Sequence, residues 1–173
     1  ATGNAIDIVG HSIGTITFGN TTIDMATGNG IDISTSTGTY NFTGAANVIS
    51  NLANGTDGVQ VTEAAGTLVF QNFTIGPVSG TASGFDINTN GGNAVLVTLS
   101  SNRVDLNGAG TGYTIIADGN GNNVTLTGSS GAVNDNVTQN PVGGTERDFR
   151  ELNGGTFQVG LIRINGNDIQ PPP

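Results

Sequence analysis

Three residue types are missing from this chain of 173 residues: cysteine, tryptophan and lysine. Without cysteine the protein forms neither disulfides nor thiolate metal sites. Its basic side chains other than one histidine are Arg103, Arg147, Arg150 and Arg163, so no lysine or arginine precedes residue 103. Nucleic acids and anionic membrane surfaces are both bound by clustered basic residues. We therefore expect no nucleic acid among the partners and no attachment to anionic lipid.

Long apolar runs are also missing. No segment approaches the ~20 apolar residues that a membrane-spanning helix needs, so membrane insertion is not expected. Residues 1–20 do not show the basic segment followed by an apolar one that marks a signal peptide, which is typical of a mature protein or an excised fragment. The 13 acidic residues give a net charge of −9. A surface of Thr, Asn, Ser and Gly without lysine favours an extracellular or cell-surface location, with an acidic cytoplasmic protein as the alternative.

Glycine is abundant instead, with 29 residues, and it punctuates a repeat. A short segment of alternating apolar and polar residues begins each of six units. The first five segments read Ala5-Ile6-Asp7-Ile8, Gly30-Ile31-Asp32-Ile33, Gly58-Val59-Gln60-Val61, Gly84-Phe85-Asp86-Ile87 and Gly112-Tyr113-Thr114-Ile115, and a degraded sixth begins near Asp148-Phe149. A glycine and a second alternating segment follow in each unit, and a third, weaker segment closes most units.

Alternation with a period of two predicts β-strands, and Gly, Asn and Asp between them allow sharp corners. We predict an all-β, right-handed parallel β-helix (solenoid) of about six coils, with three short strands per coil and essentially no helix. Residues 1–130 form coils one to five, 131–147 a loop insertion, 148–169 the last coil and 170–173 a Pro-rich tail. An antiparallel sandwich is the rival fold, but the recurrence of matching segments in register favours the solenoid.

Stacked coils would place equivalent inward side chains in columns through the core. One column is predicted to contain Ile6, Ile31, Val59, Phe85, Tyr113 and Phe149. A second is predicted to contain Phe18, Phe42 and Phe70. Neither end shows a dedicated cap, since Ile162, Ile164 and Ile169 run directly into prolines 171–173. The chain is therefore expected to be a slice of a longer shaft, or a subunit whose copies stack head to tail into a filament.

The coil pattern resembles the right-handed parallel β-helix proteins: bacterial autotransporter passengers, large repeat adhesins and the pectate-lyase-like superfamily. The resemblance covers residues 1 to about 165 and rests on structural motifs. It implies a structural or adhesive module of an exported bacterial surface or fibre protein, and we expect no enzymatic activity. The partners that we expect are copies of itself or flanking repeats of a longer chain, or glycans and a host or neighbouring cell surface. The alternative is a polysaccharide lyase or hydrolase.

The outward residues of the first strands form a polar ladder. Its members are Asp7, Asp32, Gln60, Asp86 and Thr114. Two carboxylates on adjacent coils repel unless one is protonated or a cation such as Ca²⁺ lies between them, so a surface calcium ion is the one cofactor considered. Two neutral members interrupt the ladder. We therefore assign no catalytic, cofactor-binding or metal-binding residues.

Three other features are expected to be structural. Glu146, Arg147, Asp148, Arg150 and Glu151 bring both charge signs together, which indicates ordinary ion pairs at a coil edge. His11 is expected in a turn, because no serine or cysteine accompanies it in an activating context. Outward threonines begin a row of the kind that binds ice, at positions 15, 17 and 39, but this row is expected to be broken by Val69, Asn93, Val95 and Gln158.

Overall fold

The structure, a computed structural model, describes residues 3–24, 26–89, 94–128, 135–139 and 142–169. These residues contain nineteen strands and no helix. The strands are β1 (Ile6–Val9), β2 (Thr15–Phe18), β3 (Thr22–Asp24), β4 (Ile31–Ser34), β5 (Thr39–Phe42), β6 (Asn47–Ser50), β7 (Val59–Thr62), β8 (Gly66–Gln71), β9 (Phe73–Ser79), β10 (Ser83–Thr89), β11 (Ala94–Ser100), β12 (Arg103–Asn107), β13 (Thr111–Asp118), β14 (Asn123–Thr127), β15 (Val137–Gln139), β16 (Thr145–Leu152), β17 (Thr156–Val159), β18 (Arg163–Ile164) and β19 (Asn167–Asp168).

Every third strand lies side by side, so the chain winds through three parallel sheets. Sheet A has the order β1-β4-β7-β10-β13-β16, sheet B has the order β2-β5-β8-β11-β14-β17, and sheet C has the order β3-β6-β9-β12-β15. The all-β parallel solenoid with three strands per coil is confirmed. Of about six predicted coils, five have all three strands in the described residues, and β16 and β17 form an incomplete sixth. The right-handed winding remains a prediction from the general rule for parallel crossovers.

Sheet A carries the first predicted core column. Ile6, Ile31, Val59, Phe85 and Tyr113 face one another in successive coils. The last predicted member was wrong: Phe149 lies beside Ile115, and Arg147 takes the place next to Tyr113. The sixth repeat begins two residues earlier than predicted, and a shift of two keeps the phenylalanine on the inward face.

The second core column, in sheet B, is confirmed. Phe18, Phe42 and Phe70 lie in register, and their rings stack with centroids 4.4 and 5.4 Å apart. Leu99 continues the column in the next coil. Offset stacking of this kind adds to the burial of large apolar surfaces, so the aromatic rings link the coils as well as fill the core.

Buried asparagines occupy the corner between sheets B and C. Asn102 accepts a hydrogen bond from the backbone N–H of Phe73 at 3.1 Å and donates to the carbonyl of Phe70 at 2.9 Å and to Asn136 at 3.0 Å. Asn47 has the same role two coils closer to the N-terminal end, where its side chain donates to the carbonyl of Gln71 at 2.8 Å. Buried backbone groups must find partners, and these side chains supply them where the chain turns.

The segment predicted as a loop insertion contains two strand regions. Within 131–147, β15 pairs with β12 as the third strand of the fifth coil, with Val137 opposite Arg103, and β16 begins at Thr145. Residues 131–134 and 140–141 of this segment lie outside the described part. Because the inward residue of β15 is Thr138, which donates to the carbonyl of Glu146, the strand lacks the apolar alternation that the prediction relied on.

The end of the chain forms a partial cap, contrary to expectation. Strands β18 and β19 pair antiparallel, and Ile164 makes a parallel bridge to Asn136 of sheet C. Ile162, Ile164 and Ile169 are at most 5% exposed. The hairpin therefore covers part of the core beyond the last coil. The predicted tail, residues 170–173, lies outside the described residues.

Candidate functional site

The outer face of sheet A holds the polar ladder that the sequence predicts. Asp7, Asp32, Gln60, Asp86 and Thr114 are neighbours in consecutive coils. One further coil adds the carboxylate of residue 148, opposite Thr114. The ladder is the main concentration of titratable groups on a single sheet face among the described strands.

A second polar row, which the sequence reasoning missed, lies beside this ladder. Its members precede the ladder residues by three positions: Asn4, Asn29, Asp57 and Ser83. The two rows are joined by hydrogen bonds. Asn29 donates to Gln60 at 2.8 Å, Gln60 donates to Asp57 at 3.3 Å, and the backbone N–H of Ser83 donates to Asp57 at 2.6 Å. The constant offset of three was the signal available in the sequence.

Three carboxylates of these rows, those of Asp32, Asp57 and Asp86, have pKa values raised above that of free aspartate. Burial raises the pKa of Asp57 to about 6; the Ser83 N–H opposes the rise, and the charges of Asp86 and Asp32 add to it. Burial also raises the pKa of Asp32, with a hydrogen bond from Asn29 lowering it and the charge of Asp7 raising it. The pKa of Asp86 is raised by burial. Each shift follows from desolvation of the charged form.

The hydrogen bonds of Asp57 indicate a structural role for this cluster. One carboxylate oxygen accepts from the Ser83 N–H and the other from Gln60, and Asn4 donates to Asp32 at 3.0 Å. In the described part of the chain, no group of three or more histidine, aspartate or glutamate side chains is placed to hold a metal ion. Calcium at the Asp7–Asp32 pair therefore stays a prediction.

The charged segment predicted at a coil edge lies in β16, the outermost described strand of sheet A. Arg147 pairs with Glu146 at 2.7 Å, and Arg150 pairs with Asp148. Glu151 accepts a hydrogen bond from the backbone N–H of Phe157. The two ion pairs join near neighbours in the sequence and are solvent-exposed, so they contribute little to stability.

His11 lies in the turn between β1 and β2, as expected. Its Nδ1 is 2.9 Å from the hydroxyl of Tyr40, and the two rings meet edge to face. Tyr40 is fully buried and also donates to the His11 carbonyl. The histidine thus satisfies a buried hydroxyl.

Two outward rows run along sheet B. The first row contains Thr15, Thr39, Thr67, Leu96, Thr125 and Gln158, and the second contains Thr17, Asn41, Val69, Thr98 and Thr127. Val95 was predicted to interrupt a row, but it is 2% exposed and points into the core. Asn93 lies outside the described residues. Val69 stands in the second row and Gln158 in the first, so both interrupt the threonines as predicted. Leu96 takes the interrupting place that was expected of Val95.

No family model matches this sequence, and neither the curated proteins nor the solved structures contain a match to it. What the chain shares with parallel β-helix proteins is the solenoid fold. Among the described residues, no helix is long and apolar enough to cross a membrane.

Proposed function

We propose that this chain is a rod-shaped structural or adhesive module of an exported bacterial surface or fibre protein. The observation that carries the proposal is the continuity of the sheets. Sheets A and B each run through six parallel strands, and buried side chains from successive coils stack between them. Six strands about 4.8 Å apart give a rod on the order of 29 Å along its axis. Such a rod suits a spacer or a display surface.

The two ends of the rod differ, which bears on its partners. At the β1 and β2 edge, Ile6, Ile8 and Phe18 pack on the core but are only half-buried. At the other edge, Arg147 and Asp148 stand where a further coil would pair. A copy stacked in register on β16 would place Ile6 on Arg147, so that this arginine loses contact with water. It would also place the carboxylate of Asp7 beside that of Asp148, and like charges at that spacing repel. We therefore favour flanking coils at the β1 edge over a head-to-tail filament.

Electron microscopy tests the module and its ends together. Negative-stain images of the purified chain across a range of concentrations are expected to show dispersed short particles. Long filaments with an axial repeat near the height of one subunit would establish head-to-tail stacking. They would contradict the inference that the β16 edge does not pair with another copy.

A polysaccharide lyase or hydrolase is the second candidate, favoured only by the proton-binding Asp57 beside Asp86 on an outer face. Strongly shifted carboxylates are common in active sites. The chain and its Asp57→Asn variant would be incubated with acidic and neutral polysaccharides, and new reducing ends measured. We expect no release from either. Release by the parent chain that the variant lacks would establish the enzyme and overturn the purely structural role.

A further inference from the structure

The outer face of sheet B is uncharged, unlike the other two faces. The chain has 13 acidic residues and four arginines, yet none of them lies in a strand of sheet B. Sheet A shows five aspartates and an arginine among its outward positions, and sheet C shows Asp24, Arg103 and Asp105. Because charged residues normally dominate exposed positions, the neutral composition of one whole face calls for an explanation.

This face is also regular. All five strand pairs of sheet B keep their register without a shift, as those of sheet A do, whereas sheet C slips between Val104 and Leu106. Within a row, neighbours stand about 4.8 Å apart, and the two rows are separated by roughly 7 Å, the length of two strand residues. In the second row the hydroxyls of Thr98 and Thr127 are 3.1 Å apart and hydrogen-bonded. Seven of the eleven residues in the two rows are threonines, so the face is a grid made mainly of hydroxyl and methyl groups.

The chemistry of the grid limits the classes of ligand that it can bind. A charged ligand would meet no opposite charge. A sugar or base ring would find no aromatic surface to stack on, since all nine phenylalanines and tyrosines are buried in the core or packed against it. The six strands of sheet B contain thirty residues and give a face of about 480 Å², which only approaches the roughly 500 Å² per partner of a specific protein interface. Without charged or aromatic side chains to anchor it, a protein partner is therefore not favoured. A neutral, flat and periodic ligand that forms hydrogen bonds remains.

We propose that the outer face of sheet B binds ice. Threonine offers a hydroxyl that both donates and accepts and a methyl group that orders water beside it. Rows of such groups at fixed spacing hold water molecules in positions that a crystal surface can extend. The four positions of the rows that are not threonine add no charge: Asn41, Val69, Leu96 and Gln158. The proposal is independent of the structural role proposed above.

The test uses one substitution in the grid and one outside it. Thr67→Tyr places a bulky side chain in the middle of the first row, and Thr74→Tyr makes the same change at an exposed outward position of β9 in sheet C. Circular dichroism would establish that both variants keep the sheet structure. Freezing-point hysteresis and incorporation into a slowly growing ice hemisphere would then be measured for the parent chain and both variants.

We expect the parent chain to enter the ice and to lower the freezing point below the melting point. The Thr67→Tyr variant is expected to lose most of both effects, and Thr74→Tyr to keep them. Exclusion of the parent chain from ice would overturn the proposal, as would equal losses in the two variants. Retention on insoluble cellulose or chitin without activity on ice would also overturn it and would assign the face to a crystalline polysaccharide.

Discussion

Several residues at the corners of the coils adopt the left-handed backbone conformation, which is unfavourable for most side chains. Among the described residues, seven other than glycine have positive φ, including Thr35 at 48° and Glu63 at 54°. Asparagine tolerates this region better than branched residues do, and four of the seven are asparagines. Thr35 therefore holds its corner at a conformational cost.

Replacing Thr35 with asparagine should stabilise the protein. Removing a β-branched side chain from the left-handed backbone conformation is expected to raise the free energy of unfolding by about 1 kcal/mol. The backbone N–H of residue 35 keeps its hydrogen bond to the Thr62 carbonyl. The free energy of unfolding from urea titration measures the effect. Thr43→Asn, at an exposed position without positive φ, serves as the control and should change stability by less than about 0.5 kcal/mol.

The proton on Asp57 predicts a dependence of stability on pH. Its pKa of about 6 in the folded protein lies above the ~3.9 of an unfolded aspartate. Folding therefore favours the protonated form, so this contribution to stability is full below pH ~4 and is lost as the pH rises through 6. The raised pKa values of Asp32 and Asp86 act in the same direction.

Asp57→Asn should consequently flatten the rise in stability on acidification between pH 7 and 5 and increase stability at pH 7. Urea midpoints measured across this range would test it, with Asp105→Asn on sheet C as the matched control. If the stability of the parent chain stays constant or falls on acidification from pH 7 to 5, the raised pKa assigned to Asp57 is contradicted.

Single elements depend on a few buried polar side chains. Asn102 is 1% exposed and bonds Phe73, Phe70 and Asn136. Asn102→Ala leaves at least two buried backbone groups without partners, which is expected to cost about 3 kcal/mol in unfolding free energy. The comparison is Asn41→Ala in an outward row of sheet B, expected to cost less than about 0.5 kcal/mol. Equal losses measured by chemical denaturation would refute the role of the corner.

Strands with alternating apolar residues could be predicted from the sequence, and the others could not. Segments such as Gly30-Ile31-Asp32-Ile33 gave the register directly, because only one face of each strand can be buried. Strand β15 has a threonine as its inward residue, so alternation did not reveal it. The place of Arg147 was missed because charge normally indicates an outward position. The hydrogen bonds of Asp57 depend on which residues meet across coils, which single segments do not specify.

At the level of the whole molecule, the charged strand β16 distinguishes one end from the other. Charged residues on an edge strand oppose pairing with another chain. Changing Arg147→Ile together with Asp148→Thr should therefore promote association between copies, since it gives the last coil the pattern of an interior one. Sedimentation velocity would measure the change.

The matched control for this prediction is Arg103→Ile with Asp105→Thr. It removes the same charges from β12, which already has a strand on each side, so association should not increase. Association of both double variants to the same degree would mean that lost charge alone, rather than the edge, drives assembly.

The unbroken register of sheets A and B has a consequence for how this protein can change length. Val59 and Phe85 occupy the same place in successive coils, so an in-frame deletion of residues 59–84 would join Gly58 to Phe85 and leave every remaining strand of these two sheets opposite an equivalent neighbour. Duplicating that segment would do the reverse. The length of the rod is thus set by an integer count of coils, and a gene can adjust it in steps of one strand spacing without redesigning the core.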